Sequence, residues 1–203
     1  MAKNNKCKYG LKNVYIAPIN DIDLTKKDGS AYVYGTPFAC PGAQSLNLNN
    51  QYASASIAAD DDPDYITLQQ NNGYDGELQV VELVEEFEKQ IIGIVNGVED
   101  ADAKPKAFAI LCEFDGDKKK ARRCLWHCEL TQLPNITHST KDGNLKVDND
   151  TIKIKVVKRK DNAKLSAKAY EGWSVYDTMF TEVPKPNDFV EPEENGGMDG
   201  GSV

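Results

Sequence analysis

The chain has 203 residues, 40% of them hydrophobic, and a formal charge of -8, enough for one core with long extensions. No apolar run approaches the ~20 residues of a membrane-spanning helix, and the opening MAKNNKCKYG lacks the hydrophobic segment of a signal peptide. These features give no membrane-spanning helix and lead us to expect a cytoplasm-like compartment. Cys7, Cys40, Cys112, Cys124 and Cys128 are odd in number and lie in apolar surroundings, so buried thiols are expected rather than disulfides.

Charge is distributed in blocks. Residues 1–48 carry +3, 49–103 carry -12, 104–168 carry +8 and 169–203 carry -7, which together give the total of -8. The blocks either neutralise one another within one fold or let an acidic surface on one copy meet a basic surface on the next.

Tyr9 to Ile19 is rich in strand-forming residues, and Pro18 suggests a place near a sheet edge. Asp28-Gly29 signals a turn into a second strand at Ala31–Tyr34. Gly35-Thr36-Pro37 and Pro41-Gly42 interrupt the chain around Phe38–Cys40, after which Ala43–Leu48 resumes as a strand. Asn49 to Asn72 is weakly patterned, with Ala and Ser at 53–59, acids at 60–64 and a short strand candidate at Tyr65–Leu68. It reads as a long functional loop. Leu78 and Val80 then alternate as in a strand, whereas Leu83, Phe87, Ile91 and Ile94 recur every three or four positions, which predicts one short amphipathic helix with Gly93 as its left-handed cap.

After the polar stretch Val95–Lys104, a hairpin is predicted from Ala107–Phe114 and Ala121–Thr131. Phe108, Ile110, Cys112 and Phe114 would face one side and Ala107, Ala109 and Leu111 the other, so the first strand is expected to be covered on both sides. The same alternation puts Cys124, Trp126 and Cys128 on one face and His127 on the other. Thr137–Asn144 is turn-rich. From Leu145 to Arg159 the alternation points Ile152, Ile154 and Val156 inward and Lys153, Lys155 and Arg159 outward, and Ala163–Tyr170 is expected to complete a hairpin with it. Gly172 to Val183 holds an apolar patch that could dock on its own core or on a neighbour. From Pro184 the chain is acidic and rich in Pro and Gly, as in an extended or disordered arm. The domain division is therefore a β-sandwich over 1–183 and a tail over 184–203.

The residues supply no obvious chemistry. Asp60-Asp61-Asp62 lacks the calcium-loop spacing. Cys124, Cys128 and His127 would diverge across a strand and have no second ligand pair, so no metal is expected. The cluster Lys118, Lys119, Lys120, Arg122 and Arg123 lacks the interleaved aromatic residues of a nucleic-acid interface. No phosphate loop or nucleophile elbow is present, so neither an enzyme nor a cofactor is expected.

Tyr9-Gly10-Leu11-Lys12-Asn13-Val14, Tyr34-Gly35-Thr36-Pro37, Pro41-Gly42-Ala43 with Ser45-Leu46, the run Asn71 to Leu78 (NNGYDGEL), and the run Asp102 to Leu111 (DAKPKAFAIL) follow in this order along the chain. Together they resemble the phi13-type major tail proteins of long-tailed phages that infect Gram-positive bacteria. The similarity covers about Tyr9 to Tyr170. The segment 60–64 and the chain after Tyr170 depart from it. The resemblance implies a tail tube protein: a sandwich of two antiparallel sheets with one flanking helix, long loops and an extended C-terminal arm. Such chains form hexameric rings that stack head to tail into the conduit for DNA ejection. Implied partners are further copies of the chain, the tail terminator, the tape measure and the distal tail proteins. Genomic DNA passes through the lumen without sequence-specific binding, no membrane is engaged, and the location is the virion, after assembly in the host cytoplasm.

By position, Asp60, Asp61, Asp62 and Tyr65 are expected at ring-to-ring contacts and Lys118, Lys119, Lys120, Lys153 and Lys155 on a subunit surface. The bore is expected to be lined by small, polar or acidic groups that do not hold phosphates. The alternatives are a monomeric β-sandwich binding module, such as an adhesin or carbohydrate-binding domain, and a single-ring tail terminator or capsid-associated protein.

Overall fold

Alternating apolar and polar residues set most of this chain into antiparallel strands. The structure, a computed structural model, describes residues 10–26, 28–114, 120–134 and 148–192. Nine strands occur among them: β1 (Leu11–Ile22), β2 (Tyr32–Tyr34), β3 (Phe38–Ala39), β4 (Ala43–Ala59), β5 (Asp62–Val80), β6 (Phe108–Phe114), β7 (Arg122–Leu130), β8 (Asp150–Val156) and β9 (Ser166–Ala169). They pair in the order β2-β1-β6-β7-β8-β5-β4, with β3 against β1 and β9 against β7. The fold is mainly β, as the sequence predicts. The two halves of the sandwich remain hydrogen-bonded through Cys128–Leu130 of β7 and Ile154–Val156 of β8, so one continuous sheet is folded over.

The curl follows from what is buried together. Val14 and Ile16 of β1 and Phe108 and Ile110 of β6 share a core with Leu78 and Val80 of β5 and Ile152 and Ile154 of β8. Strands so far apart in the pairing order reach one core only if the sheet bends back on itself. The expected helix closes this core, as α1 (Glu85–Phe87) continuing into a π-helical turn (Glu88–Ile92). Phe87, Ile91 and Ile92 are its buried residues, Phe87 meets the ring of Phe108 edge-on at 5.6 Å, and Gly93 ends it at φ 93°. A left-handed C-terminal residue is where glycine avoids a steric cost.

The opposite face of β6 and β7 is covered by the chain after β9. Ala109, Leu111, Cys124 and Trp126 pack with Val175, Tyr176, Met179 and Val183, around α2 (Ser174–Thr178). The apolar patch at 172–183 thus docks on its own core, and β6 is covered on both faces as expected. Packing continues past Pro184: the Trp126 indole N–H donates to the Pro184 carbonyl at 2.8 Å, and Phe189 meets the Trp126 ring edge-on at 5.6 Å. The extended arm expected from Pro184 onward is therefore anchored through Phe189.

Pro18 falls near the sheet edge as expected: β1 is next to the terminal strand β2, and Pro18 lies in the gap between the segments of β1 paired with β3 and with β2, although β1 continues past it to Ile22. Two other local expectations are corrected. A register shift between β6 and β7 at Phe108/Ile110 turns Cys128 into the first core, away from Cys124 and Trp126 in the second. Residues 166–169 pair with β7 rather than closing a hairpin with β8.

Phe87 is the largest side chain that the helix brings into the first core and is fully buried there, so it should matter most. Phe87→Ala is expected to lower unfolding free energy by about 3–5 kcal/mol, read from denaturant midpoints, while Val190→Ala on the exposed tail changes it by less than about 0.5 kcal/mol.

Candidate functional site

Asn49 to Asn72 is not a loop. It is the outer part of the β4–β5 hairpin, paired from Tyr52↔Asn71 to Ala59↔Asp62. The turn is Asp60-Asp61, with φ of 51° and 61°. Left-handed values at both positions are those of the tight two-residue turn that suits the strand twist, and Asp tolerates them better than most residues. At about 3.3 Å per residue, the twelve positions from Gly73 to Asp61 carry the tip roughly 35–40 Å from the body.

The arm begins where β5 loses its second neighbour. From Val80 to Tyr74, β5 pairs with both β4 and β8, and beyond Tyr74 only β4 remains. Gly73 sits at the handover with φ 100°, and a Cβ there would lie 2.0 Å from the Val156 carbonyl oxygen. Only glycine fits that approach.

Cross-strand pairs assign side chains to faces. Ala53, Ala55 and Ile57 lie opposite Gln70, Leu68 and Ile66, giving a largely apolar face, while Ser54 and Ser56 lie opposite Gln69 and Thr67 on the other. Tyr52 joins the polar face and donates its hydroxyl to Gln69 Oε1 at 2.6 Å. Ile57 is 49% exposed, Ile66 45% and Leu68 57%. Each would contribute roughly 1 kcal/mol on being covered, about half of the ~1.5–3 kcal/mol for full burial of such a side chain. A ribbon with two free edges and no core of its own is marginal in water.

At the root of the arm lies a buried polar knot. Arg159, 1% exposed, donates to both carboxylate oxygens of Asp161 at 3.0 and 2.8 Å, to the Gly29 carbonyl at 2.8 Å and to the Tyr34 hydroxyl at 3.1 Å, and lies over the Tyr32 ring. Burial alone would raise the Asp161 carboxyl, but the guanidinium bonded to it holds it below the usual range. Arg159 was expected to point outward by extension of the β8 alternation. The strand ends at Val156, so that periodicity does not reach it.

Tyr32 links the knot to His127. Its hydroxyl accepts from the Lys160 backbone N–H at 3.0 Å, so its own proton goes to His127 Nδ1 at 2.9 Å and Nε2–H is left to meet Glu129 Oε1 at 3.1 Å. Burial holds His127 below its ordinary 6.5 despite Glu129.

The expected site residues fall in separate places. Asp60, Asp61, Asp62 and Tyr65 come together at the outer end of the arm, Tyr65 on the face opposite Ile66. Lys118 and Lys119 lie outside the described residues, and Lys120 pairs with Glu171. Lys153 and Lys155 are exposed on β8, opposite Glu77 and Asp75 of β5, with Glu129 of β7 also opposite Lys155. Cross-strand pairs of opposite sign largely balance this face. The residues missed by sequence reasoning are Ile57, Ile66 and Leu68 on the arm. Their signal was the period of two between Tyr65 and Leu68, masked in the facing strand by Ala and Ser.

Among the described residues, no cluster of three or more His, Cys, Asp or Glu is placed to hold a metal, and no helix is long and apolar enough to cross a membrane. The chain matches no family model and no curated protein.

The neutral state of His127 gives a pH dependence. Its folded value lies below the unfolded 6.5, so the associated stability is present above about pH 6.5 and is lost as pH falls from there through the folded value. Thermal melts from pH 7.5 to 5 should show this loss, and His127→Gln should flatten the same interval.

Proposed function

We propose that this chain is the repeating unit of a phage tail tube: a protein that acts by assembling, in stacked hexameric rings, into the conduit through which the genome leaves the virion. The observation that carries the proposal is the arm at 49–72, a ribbon about 35–40 Å long by strand geometry with an apolar face and two edges that, among the described residues, nothing else pairs with or covers. Such an element is stable once other chains lie against it. The resemblance to phi13-type tail proteins supplies the kind of assembly, and the alternating charge blocks supply a means for identical copies to meet head to tail.

In this account the folded sheet of each copy forms the wall, and the arm joins it to another copy. Asp60, Asp61 and Asp62, carried at its tip, then lie at the contact between rings. DNA is a passing cargo, with the wall offering it no specific grip. The tail terminator, tape measure and distal tail proteins set where the tube starts and stops, and assembly precedes release from the host cytoplasm.

Negative-stain microscopy of the purified chain at high concentration, with tip factors added as nucleus, should show hollow tubes of uniform width. Replacing residues 51–73 by a two-residue Asn-Gly turn, which keeps Asn50 opposite Tyr74, should leave a folded particle with an unchanged melting profile that forms no tubes. Tubes from the shortened chain, or a lone particle under every condition from the full one, would overturn the proposal.

A further inference from the structure

Opposite charges stand at opposite ends of the arm. Between Asn47 and Ala59, and again between Tyr65 and Tyr74, the arm carries no charged residue; its charges are Asp60, Asp61, Asp62 and Asp64 at the tip. None of the four forms an ion pair among the described residues.

At the root, β8 ends at Val156 opposite Tyr74, and the chain turns back through 157–165. The Arg159 N–H donates to the Lys164 carbonyl at 2.9 Å and the Ala163 N–H to the Arg159 carbonyl at 3.0 Å, which makes this a tight, closed turn. Leu165 reaches the arm root, 3.5 Å from the Cβ position of Gly73. Lys158, Lys160 and Lys164 are exposed on the turn. The one acid of the turn, Asp161, is buried against Arg159, so it does not balance them. No carboxylate among the described residues pairs with any of the three. Several other basic positions have ion-pair partners, Lys12 and Arg122 with Glu113, Lys26 with Asp23, Lys89 with Glu85 and Lys120 with Glu171, and Lys153 and Lys155 stand opposite acids on neighbouring strands.

The geometry points to a contact between the acidic arm tip of one copy and the basic turn 158–164 at the arm root of the next. This contact rests on the proposal that the chain assembles. Within one copy the two groups are an arm's length apart, far beyond the Debye length of about 8–10 Å at physiological salt, so they cannot satisfy each other. A tip-to-root contact uses two different surfaces and repeats without exhausting itself, which is the requirement for rings and filaments rather than a closed pair. The Arg159 knot has a part here: it holds the lysines on a fixed frame and keeps the turn's own carboxylate, Asp161, engaged.

Charge reversal separates this contact from its alternatives. One variant carries Asp60→Asn, Asp61→Asn, Asp62→Lys and Asp64→Lys, which keeps residues that accept left-handed φ at the two turn positions, and a second carries Lys158→Glu, Lys160→Glu and Lys164→Glu. All the changed side chains are exposed, and circular dichroism and melting should match the unaltered chain. Sedimentation at low salt and microscopy should show each variant alone failing to associate, because like charges then face each other. An equimolar mixture should regain association, since basic tips meet acidic turns and acidic tips meet basic turns. Assembly of either variant alone as well as the unaltered chain, or a mixture that stays dispersed, overturns the contact while the unaltered chain still forms tubes. Failure of the unaltered chain itself to associate overturns the tube proposal as well.

Discussion

The structure depends on how strand β5 is satisfied along its length. From Tyr74 to Val80 it has a strand on each side, and Leu78 and Val80 enter the core. From Asp62 to Asn71 the same strand has one neighbour, and its side chains meet water on both faces. The change happens at Gly73, where the close Val156 carbonyl excludes a side chain. One strand thus belongs first to a finished core and then to an unfinished ribbon, and the unfinished part needs a partner. The folded sheet, closed by Phe87 and Ile91 on one face and by 173–189 on the other, gives that ribbon a firm base.

Much of the base was legible in the sequence. The helix showed because Phe87 and Ile91 are strongly apolar and spaced by four among glutamates. The two faces of β6 showed because Phe, Ile and Cys alternate with Ala and Leu. The arm did not show, since Ala and Ser fit a loop, helix or strand equally well and only a partner strand reveals their register. Arg159 and Cys128 were misplaced for a related reason. Period-two reasoning assumes an unbroken strand, and one strand had ended while the other had slipped. What lies outside a single strand's period has to come from pairing.

Charge supplies the second level of organisation. The acidic block of 49–103 puts four of its acids on the tip of the arm, and the basic block that follows puts three lysines at its root. A sequence-level asymmetry becomes a spatial one, with unlike ends on a rod. Rods of that kind favour end-to-end order over random clustering, because like ends repel. This is the physical content of the proposal that the chain is a tube subunit. It unites a ribbon lacking cover, edges lacking partners and ends lacking counter-charges in one remedy, further copies of the same chain.

Hydrogen–deuterium exchange over residues 49–72 tests this most directly. In dilute solution the amides of the arm should exchange quickly, while those of β6 and β7 stay protected. In the assembled material the arm should become slow, with protection beginning at Gly73 and running to the tip. An arm already protected in the dilute chain, or one that exchanges as fast in the assembly as outside it, would contradict the account.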